Sequence, residues 1–128
     1  MRRRPTSART AQSQHYLARD RARTSRDRLR NRRRSETFTL ELHGLHYVAS
    51  FSRFDDGRVA EVFLQDHRPA SQSDSNARDS AIAASLALQY GCPLDVLRRA
   101  LLRDAHGNAS TPLGAALDVI AAAEEQGR

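Results

Sequence analysis

Residues 78–122 read RDSAIAASLALQYGCPLDVLRRALLRDAHGNASTPLGAALDVIAA, and they carry most of the aliphatic side chains of a 128-residue chain. The pattern predicts three helices separated by two sharp stops. Asn76 is a suitable N-cap for the first, with Asp79 three residues on. Ile82, Leu86 and Tyr90 recur at i, i+4 and i+8 with Ala83 and Ala87 beside them, which predicts an apolar stripe facing a core. Gly91 stops that helix, because glycine enters the left-handed conformation without steric cost. Pro93 suits the first position of a second helix, with Leu94, Leu97 and Leu101 on one side. The loop Asp104 to Asn108 ends it. Thr111 and Pro112 open a third helix, with Leu113, Leu117 and Ile120 inward. On this reading Leu97→Ala costs about 2–5 kcal/mol.

Upstream the periodicity changes to two. Phe38, Leu40 and Leu42 alternate with polar residues, and so do Leu45, Tyr47, Ala49 and Phe51. A turn at His43-Gly44 sets Leu42 opposite Leu45, Leu40 opposite Tyr47 and Phe38 opposite Ala49, so all six share one face. A second turn at Asp56-Gly57 sets Phe51 opposite Val62, Ala49 opposite Leu64 and Arg58 opposite Asp55. The third strand then runs from Arg58 to Gln65. Three strands with one apolar face need a cover, and the helices supply it. The expected fold is α+β: a three-stranded antiparallel meander packed by three helices, occupying residues 36–123. Residues 1–35 are expected to be a disordered Arg-rich arm, and 124–128 a C-terminal tail.

Charge divides the chain in the same place. The first 34 residues hold 13 Arg against Asp20 and Asp27, a net +11; residues 35–128 hold 8 Arg against 13 acids, a net −5. There is no Lys. The arm has too few large apolar groups to offset its ordering entropy, although a helix over residues 12–30 is compatible with its composition. Its candidate phosphate contacts are Arg2, Arg3, Arg4, Arg30, Arg32, Arg33 and Arg34. The single cysteine excludes a disulfide framework and a multi-thiolate zinc site, which fits a reducing cytoplasm. No apolar run reaches membrane-spanning length.

The run Val59 to Leu64, a Ser/Asp-rich loop, and SLALQYGCPLDVLRRAL (85–101) together resemble the TSCPD domain. That domain lies near the C-terminus of adenosylcobalamin-dependent ribonucleotide reductases. LALQYGCPL is the most specific piece, and TPLGAALDVI resembles the ending of short bacterial proteins built from this domain alone. The resemblance spans residues 37–122 and departs in two places: the T-S-C-P-D motif is missing, and so is a catalytic barrel. Ribonucleotide reduction needs a radical-bearing Cys and a second Cys pair, so Cys92 cannot fill three roles. The resemblance implies a non-catalytic accessory or regulatory module that docks to a reductase or binds a nucleotide. It implies no cofactor on this chain, adenosylcobalamin belonging to the full-length reductases.

Other constellations are weaker. Ala87, Gly91 and Leu97 have helix-turn-helix spacing over residues 83–103, which would put Arg98, Arg99 and Arg103 near phosphate. A helical hairpin with a glycine stop explains the same residues, and the negative folded part opposes duplex binding. His15, His43, His46, His67 and His106 read as exposed turn residues rather than metal ligands. Cys92 has no His or Asp with a reason to sit beside it, so it reads as a capping or buried thiol rather than a nucleophile. Asp55, Asp56, Glu61 and Asp66 read as solvated surface charge. A homo-oligomer formed by pairing an exposed sheet edge with its own copy is a further expectation.

Overall fold

The computed structural model describes residues 25–29 and 34–126. Strands β1 (Ser35–Leu42), β2 (Leu45–Arg53) and β3 (Val59–Asp66) are followed by helices α1 (Gln72–Gln89), α2 (Leu94–Ala100) and α3 (Pro112–Gln126). The strands form one antiparallel sheet in the order β1-β2-β3. The expected α+β architecture is therefore the observed one.

The hairpin registers follow the hydrophobic pattern. Leu42 pairs with Leu45, Leu40 with Tyr47 and Phe38 with Ala49, and Phe51 pairs with Val62 and Ala49 with Leu64. His43 (φ 52°) and Gly44 (φ 78°) both take positive φ, the two-residue turn whose twist matches the strands it joins. The second turn differs. A bulge between Ser52 and Arg53 pairs Arg53 with Val59, which widens the connection. Arg58 then stands opposite Phe54, whose N–H donates to its carbonyl at 2.8 Å, instead of opposite Asp55, and its guanidinium reaches Asp56 at 2.8 Å. Its guanidinium lies 4.8 Å from the centre of the Phe54 ring.

Helix α3 is the roof. It crosses all three strands, and Leu113, Ala116, Leu117 and Ile120 are buried against Tyr47, Ala49, Phe51, Val62 and Leu64. Thr111 caps it as expected, accepting from the Gly114 N–H at 3.2 Å. Helix α2 is one short segment with no fully buried residue. Pro93 stands at its N-cap (φ −64°, ψ 144°) rather than inside it. Leu97 is only half-buried. Truncation there should cost about 1–2 kcal/mol, below the sequence expectation, because less apolar area leaves water.

Helix α1 departs most from the sequence reading. It begins four residues before Asn76, capped by Ser71, whose hydroxyl accepts from the Asp74 N–H at 3.1 Å. Its inward stripe is Asp74, Ala77, Ala81, Ala84 and Leu88. The expected stripe faces water instead: Ile82 is 59% exposed, Leu86 40% and Tyr90 41%.

The reason lies in where α1 sits. It contacts β3 extensively and neither of the other strands to a comparable extent, running antiparallel along the free edge of that strand. Ser85 accepts from the Val62 N–H at 2.9 Å and donates to the Val62 carbonyl at 3.0 Å. Gln89 donates to the Ala60 carbonyl at 3.1 Å. Asp74 accepts from the Asp66 N–H at 3.0 Å. The lengths agree: fifteen helical steps cover about 22 Å and six strand steps about 20 Å. A helix so close to a strand admits only small side chains or polar ones that reach the ladder, so alanines face in and bulky residues face out. Side chains thereby do the work of a fourth strand and close an edge that would otherwise be open.

Candidate functional site

Helix α1 ends in a tight reversal. Gly91 has φ 97°, its N–H donates to the Leu88 carbonyl at 3.1 Å, and the Cys92 N–H donates to the Ala87 carbonyl at 2.9 Å. These two bonds define a Schellman stop. The reversal leaves a cleft of about 370 Å3 between the end of α1, the start of α2, the β2–β3 turn and the last turn of α3. Val59, Leu88, Leu94 and Ala121 give it an apolar lining, and Cys92 is half-buried beside them. The thiol makes only a weak contact, 3.6 Å to the Pro93 carbonyl.

The charged groups of the cleft are Arg58, Asp95, Glu124 and Glu125. Arg58 is already ion-paired with Asp56 and, at 3.5 Å, with Asp27. Arg58 holds the Asp56 carboxyl below its ordinary range, chiefly through the hydrogen bond from its backbone N–H. Glu124 is paired with Arg53. Among the described residues the lining is thus predominantly acidic, and its cation is engaged. That charge balance opposes a phosphate and favours neutral or cationic groups. Among the described residues no histidine lines the cleft.

Part of the arm reaches this region. The Asp27 N–H donates to the Gln89 carbonyl at 2.9 Å, and Arg26 is hydrogen-bonded to the Gln89 side chain. Residues 25–29 are not helical. Of the proposed phosphate contacts, Arg34 is exposed immediately before β1; Arg2, Arg3, Arg4, Arg30, Arg32 and Arg33 lie outside the described residues. So does His15. His43, His46, His67 and His106 are exposed. Among the described residues no three His, Cys, Asp or Glu side chains are placed to hold a metal ion.

Two of the three helix-turn-helix arginines, Arg98 and Arg103, are turned inward. Arg103 grips Asp118 with two nitrogens, at 2.7 and 2.9 Å, and Arg98 reaches the same carboxylate at 3.2 Å. Arg103 also donates to the Gly107 carbonyl at 3.0 Å. The cluster ties α2 and the 102–110 hairpin to α3, leaving Arg99 as the exposed member of the trio. Hydrogen bonds from Arg103 hold the Asp118 carboxyl below its ordinary range against the opposing effect of burial.

Two acids expected at the surface are buried. Glu61 is buried opposite Ser52, and it is engaged by a partner. Asp66 is buried at the β3–α1 connection, where the Arg68 N–H donates to it at 2.9 Å and the Ser73 hydroxyl also bonds it. These bonds, the Arg68 one foremost, hold its carboxyl low. For the neighbouring Asp74, burial pushes the carboxyl up. The bonds from the Asp66 N–H, Arg78 and the Ala70 N–H outweigh that push, and the net direction is down. The sequence signal for this connection is the S-x-x-D spacing of Ser71 and Asp74.

Asp66, Asp74 and Asp118 share one sign of linkage. A carboxyl whose folded pKa lies below its unfolded value of about 4 stabilises the fold fully above that value and ceases to as pH falls through the folded one. Thermal melts should be flat from pH 7 to about 5 and fall steeply below about 4. Asp118→Asn should flatten the acid limb while lowering the melting temperature at pH 7.

Comparison with known proteins adds one relationship. The chain is 33% identical over 96 residues to the vitamin B12-dependent ribonucleotide reductase of Bradyrhizobium diazoefficiens, an overlap covering 71% of this chain and 8% of that protein. It is 36% identical over 70 residues to the enzyme of the same name from Agrobacterium fabrum, covering 55% of this chain and 6% of that one. The chain thus spans less than a tenth of the length of these curated relatives. It is similar to a short segment of such reductases. No family model matches the chain, and no solved structure matches it. No helix among the described residues is long and apolar enough to cross a membrane.

Proposed function

We propose that this chain is a non-catalytic accessory or regulatory module of the TSCPD type that acts with a vitamin B12-dependent ribonucleotide reductase in deoxyribonucleotide synthesis. The observation that carries this reading is the 33% identity over 71% of the chain to a segment forming 8% of such a reductase. Cys92 is the only cysteine in the sequence, too few for a radical thiol and a reducing pair.

A protein partner fits the surface better than a nucleotide does. The acidic lining of the cleft disfavours a polyphosphate, whereas Ile82, Leu86 and Tyr90 present a continuous apolar stripe on α1, a feature of protein contact surfaces. Tagged full-length protein should capture the reductase from a lysate, and the purified pair should co-sediment. Deoxynucleotide pools should shift in a deletion strain. A pair that fails to associate in sedimentation, with unchanged pools in the deletion strain, would contradict the reading. With ribonucleotide, adenosylcobalamin and a dithiol, the chain by itself should form no deoxyribonucleotide.

The 13 arginines of the first 34 residues favour a second reading, an arm that holds nucleic acid through phosphate contacts. It predicts affinity that falls steeply with salt and disappears when residues 1–34 are removed.

A further inference from the structure

The two outer edges of the sheet are treated differently. The β3 edge is closed by Ser85, Gln89 and Asp74 of α1. Among the described residues no element lies along the outer edge of β1, and Ser35, Thr37, Thr39 and Glu41 are exposed there. We propose that this edge pairs with the same edge of a second copy, antiparallel about a two-fold axis at Thr39, making a six-stranded sheet.

The parity of the ladder carries the inference. A two-residue hairpin is closed by a hydrogen-bonded pair, so Leu42 and Leu45 exchange both bonds, and pairs alternate from there. Leu42, Leu40, Phe38 and Glu36 therefore spend their backbone groups on β2, and Glu41, Thr39, Thr37 and Ser35 direct theirs outward. The next ladder agrees, since the His46 carbonyl faces away from β1 and accepts from the His67 N–H at 2.9 Å. Placing Thr39 on the axis sets Thr39 opposite its own copy and Thr37 opposite Glu41 of the other copy. All of these have outward backbone groups, so the hydrogen bonds match. The same register sets Phe38 beside Leu40 of the other copy. The half-buried Phe38, Leu40 and Leu42 then continue one apolar face across the seam, and no like charges meet directly.

Of the usual edge protections, β1 carries two charged side chains, Glu36 and Glu41, which the proposed register sets opposite Leu42 and Thr37 of the other copy. Eight residue pairs run from Ser35–Ser52 to Leu42–Leu45 without a bulge, and the strand SETFTLEL contains neither Pro nor Lys. Natural edges of this length are normally blocked by such devices or used for pairing. A closed two-fold contact uses the edge once and leaves no template for further addition.

Sedimentation velocity of the full chain, from low to high micromolar concentration, tests this. A concentration-dependent shift from monomer to dimer is expected. Thr39→Pro removes an outward N–H that the β1–β2 ladder does not use, so it should fold with an unchanged hairpin and stay monomeric. Thr39→Lys keeps the backbone donor but places two ammonium groups together at the axis, and it should also stay monomeric. Leu86→Lys, on α1 at the far edge of the sheet from β1, should leave the dimer intact. A wild-type chain that remains monomeric throughout, a dimer that survives Thr39→Lys, or a dimer abolished by Leu86→Lys would overturn the proposal. None of these results bears on whether a reductase is bound.

Discussion

Leu117→Ala is expected to lower unfolding stability by about 2–5 kcal/mol, the range for removing a large buried aliphatic side chain and leaving a cavity behind it. Leu117 is completely buried in the middle of α3, between the sheet it roofs and the flanking residues Leu113 and Ile120. The neighbourhood has little freedom to collapse, because β1 and β2 are locked by a turn of fixed geometry and β3 is locked by α1. The upper half of the range is therefore the better expectation. Urea titration should show a large drop in midpoint with little change in slope. Leu97→Ala, half-buried on α2, should move the midpoint much less. Equal effects at the two positions would mean that α3 does not roof the sheet.

Ser85→Ala should cost about 1–3 kcal/mol although it removes a single oxygen atom, because it strands both a donor and an acceptor at the strand edge. The Ser85 hydroxyl both donates to and accepts from the backbone of Val62, as a neighbouring strand would. Alanine keeps the close fit but leaves the Val62 N–H and C=O without partners in a half-buried place. Leu86→Ser, one position away on the outward face, should cost far less. Thermal denaturation of the two variants gives the comparison directly.

Much of the sheet was legible because period-two patterning and turn chemistry impose the same register. His43-Gly44 takes positive φ at both positions, as the two-residue turn requires, and a shift of one residue would have turned Tyr47, Ala49 and Phe51 to the other face. The Thr111 cap and the inward Leu113, Leu117 and Ile120 were legible for a similar reason: cap and stripe agree.

The inward face of α1 was not legible. A hydrophobicity pattern assumes that the largest apolar residues are the buried ones. That assumption fails where a helix lies against a strand edge, since close approach selects alanine and edge closure selects Ser85, Gln89 and Asp74. The polar series Asp74, Arg78, Ser85 and Gln89 does recur at i, i+4, i+11 and i+15. Only knowledge of an open edge gives that series a meaning. The same blindness put Glu61 and Asp66 at the surface, because carboxylates are usually solvated unless a partner is known. Arg58 went to Asp56 because a bulge leaves no trace in the alternation of side chains. The cleft at Cys92 was half-visible: Gly91, Cys92 and Pro93 announce a reversal, but Arg58, Glu124 and Glu125 come from elements that meet only in three dimensions.

Amide hydrogen exchange at Val62 probes the closure of the β3 edge by α1 more directly than any other measurement. The Val62 amide points away from β2, so its protection depends on Ser85. It should exchange as slowly as the core amides of β2 in the wild-type chain and much faster in Ser85→Ala, with the β1–β2 amides unchanged. A Val62 amide that exchanges at the rate of an open peptide in the wild-type chain, or one whose protection is unaffected by Ser85→Ala, would contradict the closure of that edge by α1.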